Sequence, residues 1–232
     1  MDSCGCDAFA SIFDRRNADD DLRRYRREGP DRTTRMLLDL IRAEGVDGAT
    51  VLDIGGGIGV IDQELLRAGA GRATLSDASP ASVEVAREAA AAAGLADRMS
   101  YVEGDAVRRA SDIVGADVVT LDRVICCYPD VESLVRLSAA WAGRLYGIVL
   151  PRDRWVVRVG IALEAAWFRL TRRRYRPFAH PNRLVDALAV SQGLEPVAET
   201  GTYFWRVALF RRAATVRASA TGTGDAAWSS SR

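Results

Sequence analysis

An apolar run, an acid and a spaced set of glycines stand together at Val51-Leu52-Asp53-Ile54-Gly55-Gly56-Gly57-Ile58-Gly59. Glycine lets the backbone turn tightly and lets a ligand lie against bare main chain, and the helix that must follow offers unpaired N–H groups at its first turn. That is the chemistry of a nucleotide cradle. Two further acids stand in matching places. Asp77 lies 24 residues after Asp53, at the end of a second apolar run, where a carboxylate can accept both ribose hydroxyl hydrogens. Asp105 follows a third run, in Gly104-Asp105-Ala106. Taken singly, Asp77 is equally a helix cap before Pro80, and Asp105 a cap or turn residue. Together with the glycines they favour a bound nucleoside.

The dinucleotide pattern G-x-G-x-x-G fails in both registers: from Gly55 it meets Val60, and from Gly57 it meets Asp62. The chain instead carries D-x-G-x-G-x-G from Asp53 to Gly59, with an acid that would repel a pyrophosphate but suits a cationic ligand. On these residues, over about 50–211, the chain resembles the class I S-adenosylmethionine-dependent methyltransferases. The resemblance implies S-adenosyl-L-methionine as cofactor. It implies that Asp53, Gly55, Gly57, Gly59, Asp77, Ala78, Asp105, Ala106 and Asp122 hold it, with Asp105 at the adenine amino group, and that no metal takes part.

Methyl transfer asks mainly for alignment of the acceptor and exclusion of water, since the sulfonium is already activated. Acceptor contacts should come from the run after the fourth strand, Leu121-Asp122-Arg123-Val124-Ile125-Cys126-Cys127-Tyr128-Pro129-Asp130. The run lacks the Asp/Asn-Pro-Pro-Tyr motif of base-amine methyltransferases, and it is similar to the magnesium protoporphyrin IX O-methyltransferase branch, which esterifies a tetrapyrrole propionate. A carboxylate acceptor is ionised at neutral pH and needs no general base. Tyr128, His180 and Arg123 are the candidate catalytic residues. His180, the one histidine, could be a base, a contact to a metallated substrate or a surface residue. Arg123, and with it Arg152, could fork onto a carboxylate. A phenol, amine or thiol acceptor, or a nucleotide-binding oxidoreductase, stands as the alternative, and a non-catalytic module as a third.

The elements that must position these residues alternate strand and helix from about residue 50. Strands are expected at 50–54, 73–76, 99–102, 117–121 and 147–150, then a hairpin of 196–200 with 203–210. This is an α/β fold: a doubly wound, mostly parallel seven-stranded sheet, Rossmann-like, with a C-terminal antiparallel hairpin and so an antiparallel edge. Helices at 8–27 and 31–44 precede it. The division expected is an N-terminal helical cap, 1–48, in which Phe9, Phe13 and Tyr25 could face a substrate, a cofactor-binding domain, 49–211, and a disordered tail, 212–232, too poor in apolar residues to pack. The apolar stretch 155–170 reads first as the helix covering the sheet after the fifth strand. A second reading lays 155–176, with Arg172-Arg173-Arg174-Tyr175-Arg176, on an anionic membrane surface as a peripheral contact.

Composition excludes further chemistries. All 32 positive side chains are arginines, so no Schiff-base lysine or phosphate-loop lysine exists. One histidine leaves no polyhistidine metal centre. A net charge of +1 argues against a nucleic-acid coat, and the expected partner is a small-molecule acceptor. Cys4, Cys6, Cys126 and Cys127 lack zinc-site spacing and read as reduced thiols, with a four-thiolate site the rarer reading. No basic and apolar leader opens the chain, so a cytoplasmic location is expected.

Overall fold

The computed structural model describes residues 14–170 and 177–214. Two helices, α1 (Arg15–Glu28) and α2 (Arg32–Ala43), lead into β1 (Thr50–Ile54), α3 (Val60–Arg67), β2 (Arg72–Asp77), α4 (Pro80–Ala92), β3 (Met99–Glu103) and β4 (Ala116–Asp122). Then follow α5 (Val131–Trp141), β5 (Ala142–Pro151), α6 (Trp155–Leu170), α7 (Asn182–Ser191), β6 (Leu194–Gly201) and β7 (Trp205–Arg212). The seven strands form one sheet in the order β3-β2-β1-β4-β5-β7-β6. The first five are parallel, and β7 runs against both β5 and β6. The expected hairpin is present, but its reversed strand lies one place in from the edge. The edge strand β6 runs with the parallel set, because β7 folds back into the space beside β5.

The strands carry apolar side chains on both faces, as a sheet covered on two sides requires. Period-two alternation sends Val51, Val118, Leu145, Val149, Val207 and Leu209 to one core. It sends Leu52, Ile54, Val119, Leu121, Tyr146, Ile148 and Phe210 to the other. Helix α2 seals the first core with Leu37, Leu38 and Ile41, each fully buried and each contributing roughly 1.5–3 kcal/mol. Asp31 caps it, accepting from the backbone N–H groups of Thr33 and Thr34. Helix α1 rests on α4 through Ala18, Leu22, Val85 and Ala89.

The second core corrects the reading of 155–170. The helix covering that face between β5 and β6 is α7, which presents Val185, Leu188 and Ala189 to it and which the sequence did not suggest. Helix α6 buries only Val157 and Ile161 among its described side chains. Its residues are apolar nearly all round, so periodicity names no inward face. The tail from 215 on lies outside the described residues, as do Phe9 and Phe13.

Candidate active site

The cradle forms where β1 ends and α3 begins, at the point where the strand order reverses. Ligands of open α/β sheets bind at such a switch point. Gly55 must be glycine: its φ is 67°, and a Cβ there would drive into the Val124 side chain. Gly59 is the left-handed N-cap of α3, φ 74°, and a Cβ would sit 3.3 Å from Leu75 Cδ1. Gly59 therefore sets helix against strand, and it does not line the cavity. Gly57 does line it, its Cα facing open space, and its N–H donates to Asp77 Oδ2 at 2.8 Å. Gly56, which was not singled out, is needed too: a Cβ would lie 2.6 Å from Asp53 Oδ2.

The acids sit at the carboxyl ends of the strands. Asp53, 1% exposed, accepts from the Thr120 hydroxyl at 2.6 Å. Burial, then the neighbouring Asp62 carboxyl, push Asp53 well above the usual carboxylate range. Asp77 also accepts from the Ser79 N–H at 2.7 Å; burial raises it, and its two N–H donors partly offset that. Asp105 accepts from the Val107 N–H at 2.9 Å and from the Tyr128 hydroxyl, 3.0 Å from each oxygen. Tyr128 thus folds the acceptor loop onto the expected adenine end. Asp122 is raised by burial against the pull of Arg123 and the Thr34 hydroxyl.

Arg123 takes φ 62°, among the described residues the one non-glycine in the left-handed region. Such an outlier persists when the surroundings hold it. Here Arg123 bridges Asp31 at 2.6 Å and Asp122 at 3.0 Å, tying the junction of α1 and α2 to the end of β4. Burial opposes the Arg123 charge, but these two carboxylates raise its pKa. Cys126 and Cys127 follow in a 3-10 turn, both lining the cavity, and Cys126 is raised by its hydrogen bond to Cys127 and by burial. Cys4 and Cys6 lie outside the described residues.

His180 and Arg152 do not line the cavity. His180 Nε2 lies 2.9 Å from the Tyr128 carbonyl oxygen, its ring stacked on Phe178, whose N–H donates to the Cys126 carbonyl at 2.7 Å. The segment carrying His180 clasps the acceptor loop from behind. Arg152 donates to the carbonyls of Thr200 and Thr202 and pins the β6–β7 turn. Tyr25, one of the cap residues expected to face a substrate, lines the cavity; Thr34 and Val124 line it too and carry no motif that would have marked them.

The cavity is about 480 Å³, within the range of small-molecule sites. Arg24 and Arg123 are its lining arginines, and each is already paired, to Asp21 and to Asp31 with Asp122. With both lining arginines paired, and with the carboxyl oxygens of Asp53, Asp77 and Asp105 turned to the site, the lining fits a cation better than a phosphate. Bare main chain at Gly57, with Asp77 behind it, fits a nucleoside carrying a positive charge. S-adenosylmethionine is such a molecule, and the residues present fit it.

Residues 51–143 match the methyltransferase domain family. The chain is 32% identical over 154 residues to a ribosomal protein L11 methyltransferase of Pelobacter propionicus, covering 63% of this chain and 48% of that one. It is 33% identical over 109 residues to an arginine N(omega)-methyltransferase of Streptomyces achromogenes, covering 45% and 30%. It therefore spans half or less of these relatives. Among solved structures it superposes on the magnesium protoporphyrin IX methyltransferase of Synechocystis, solved with bound SAH, with a TM-score of 0.66 at 18% identity. That superposition covers 89% of this chain and 97% of the other.

Proposed function

The chain carries a methyltransferase domain on the class I S-adenosylmethionine-dependent methyltransferase fold, and from that premise we propose that it methylates a small-molecule acceptor, most sharply a tetrapyrrole propionate. The anionic cradle that joins Gly57 to Asp77 carries the first half of this reading. When bound, S-adenosylmethionine supplies an activated methyl group. Asp77 takes the ribose hydroxyls, Asp105 the adenine amino group, and Ala78 and Ala106 flank the base. Asp53 and Asp122, which line the same cavity, offer carboxyl oxygens to the cationic end.

The acceptor half rests on the loop from Arg123 to Tyr128, closed over the cavity by the Tyr128–Asp105 hydrogen bonds and clasped by His180. Arg123 lines the cavity with its side chain 40% exposed, where it can orient an acceptor carboxylate beside the two it already bridges. A carboxylate is its own nucleophile at neutral pH, so no base is required of this chain. The ribosomal protein L11 methyltransferase that this chain matches is about twice as long as the matched region, so that acceptor is not carried over. Phenol, amine and thiol acceptors are the alternative.

Calorimetric titration tests the donor: S-adenosylmethionine should bind the wild type and not Asp77→Ala, with unfolding temperature little changed. Equal affinity in both proteins overturns the site. A screen with methyl-labelled donor against protoporphyrin, its magnesium complex, phenols and amines tests the acceptor. Activity on another class with none on the porphyrins discards the tetrapyrrole.

A further inference from the structure

Helix α6 stands apart from the rest of the fold in how little of it is covered. Trp155, Val156, Val159, Leu163, Trp167 and Leu170 are all exposed, Leu163 by 67% and Leu170 by 77%. At 100° per residue, Val156, Val159, Leu163, Trp167 and Leu170 fall on one stripe, since their spacing is three, four, four and three. The buried pair, Val157 and Ile161, points to the opposite side, where the helix meets the body. Arg158 and Arg169 lie between the two faces. The stripe is therefore an outward apolar ridge along 16 residues. Large exposed ridges of this kind mark interaction surfaces.

The surface does not end with the helix. In the β6–β7 turn, Tyr203 is 64% exposed with Arg154 stacked over its ring, and Phe204 is exposed beside it. Both sit at the amino end of α6, because the Arg152 N–H bonds the Phe204 carbonyl. Trp155, Tyr203 and Trp167 are side chains with an apolar body and a polar tip, the type favoured where hydrocarbon meets water.

Charge decides the occupant. Between positions 154 and 183 the sequence holds eight arginines and one acid, Glu164, in a chain whose total is +1. The basic excess is concentrated here, while the remainder is acidic. A second copy of the chain would bring these arginines against its own. An anionic lipid surface instead takes the apolar ridge and pairs the arginines with headgroups. Among the described residues no helix is long and apolar enough to cross a membrane, so the contact lies in the plane of the surface.

We propose that α6, with the β6–β7 turn, docks the protein on an anionic membrane surface through an apolar ridge flanked by arginines. The docking is independent of the methyl-transfer reading.

Co-sedimentation of the full chain with phosphatidylcholine vesicles, with and without phosphatidylglycerol, tests it. The wild type should sediment with the anionic vesicles and stay in solution with the neutral ones, and salt should release it. The double variant Val159→Glu/Leu163→Glu changes only exposed positions and should lose vesicle binding while its circular dichroism and S-adenosylmethionine affinity stay the same. Replacing Arg158 and Arg169, which lie between the ridge and the buried pair, by Gln should weaken binding and flatten its salt dependence. Wild-type protein that ignores anionic vesicles overturns the proposal, as does binding that survives both variants. A wild-type dimer in solution that the glutamates turn into a monomer, without vesicle binding, assigns the ridge to a second copy and overturns it too.

Discussion

The carboxyl of Asp62 faces that of Asp53 in the core beneath the glycine loop, and among the described residues neither forms an ion pair. Apart from the Asp53 carboxyl itself, no donor from another residue reaches either Asp62 oxygen. Two such groups cannot both be charged cheaply in a dry interior, so one proton stays with the pair.

That proton makes stability depend on pH in a stated direction. Burial holds Asp62 up at about 7, above its value in the unfolded chain. The folded protein then keeps a proton the unfolded chain has released between about pH 4 and about pH 7. Stability falls as pH rises through that window, by up to about 1.4 kcal/mol per pH unit. Asp62→Asn removes its share of the fall and offers Asp53 an amide donor. The unfolding temperature of the variant should exceed that of the wild type by several degrees at pH 8, and the two should converge near pH 5. Equal temperatures at pH 8 would show that Asp62 is not held protonated.

Two glycines of the loop separate fold from function. Gly57→Ala meets nothing within 4 Å, so it costs the fold about 1 kcal/mol of left-handed strain. Its methyl group enters the cavity, and S-adenosylmethionine affinity should drop by roughly tenfold or more, about 1.4 kcal/mol. Gly55→Ala adds a collision with Val124 to the same strain and should cost about 2–4 kcal/mol of stability. Calorimetry and urea unfolding of both variants check the contrast. A Gly57→Ala protein that binds as the wild type does would remove the loop from the site.

How much of this could be read from the chain follows from range. The glycine loop, Asp77 and Asp105 were legible because a turn, a strand end and a cap are decided by neighbours in sequence. Asp62 was seen only as a failed glycine, since nothing local says that the inward face of α3 meets Asp53. The packing demand on Gly59 was not legible, because it comes from Leu75 on β2. His180 stood out by being unique, but its partner, a backbone carbonyl 52 positions away, is announced by no local pattern. Helix α6 was read as a covering layer because the sheet needs one there. The requirement was sound, and α7 meets it.

Arg123 holds a strained backbone and an ion-pair bridge at once, and two substitutions pull these apart. Arg123→Ala leaves the buried Asp122 without its cation and frees Asp31, and should cost about 1–3 kcal/mol given that the guanidinium is partly exposed. Arg123→Gly makes the same loss but relieves the left-handed strain, so it should be about 1 kcal/mol more stable than the alanine variant. Asp31 is kept below the usual carboxylate range chiefly by Arg123, against burial. The bridge therefore stabilises the wild type above about pH 4 and fades as pH falls further. Urea unfolding at pH 7 and pH 3 should show the wild type losing more of its stability than either variant. Variants with the same pH dependence as the wild type would mean that the bridge contributes nothing in solution.

His180 separates positioning from proton transfer. Burial keeps its pKa below that of a free histidine, so the ring is neutral at pH 7 with Nε2–H donating to the Tyr128 carbonyl. A positioning residue acts through the loop it holds. His180→Ala should then lower kcat/KM by roughly tenfold, the scale of one lost hydrogen bond and its packing, while leaving the shape of the pH–rate profile as in the wild type. His180→Gln, which can still donate to that carbonyl, should recover most of the activity. A base would behave otherwise: the acidic limb of the profile would vanish in both variants, and glutamine would rescue nothing. The rate profiles of the three proteins on one acceptor decide between them, and the stacked Phe178 ring behind His180 favours the first outcome.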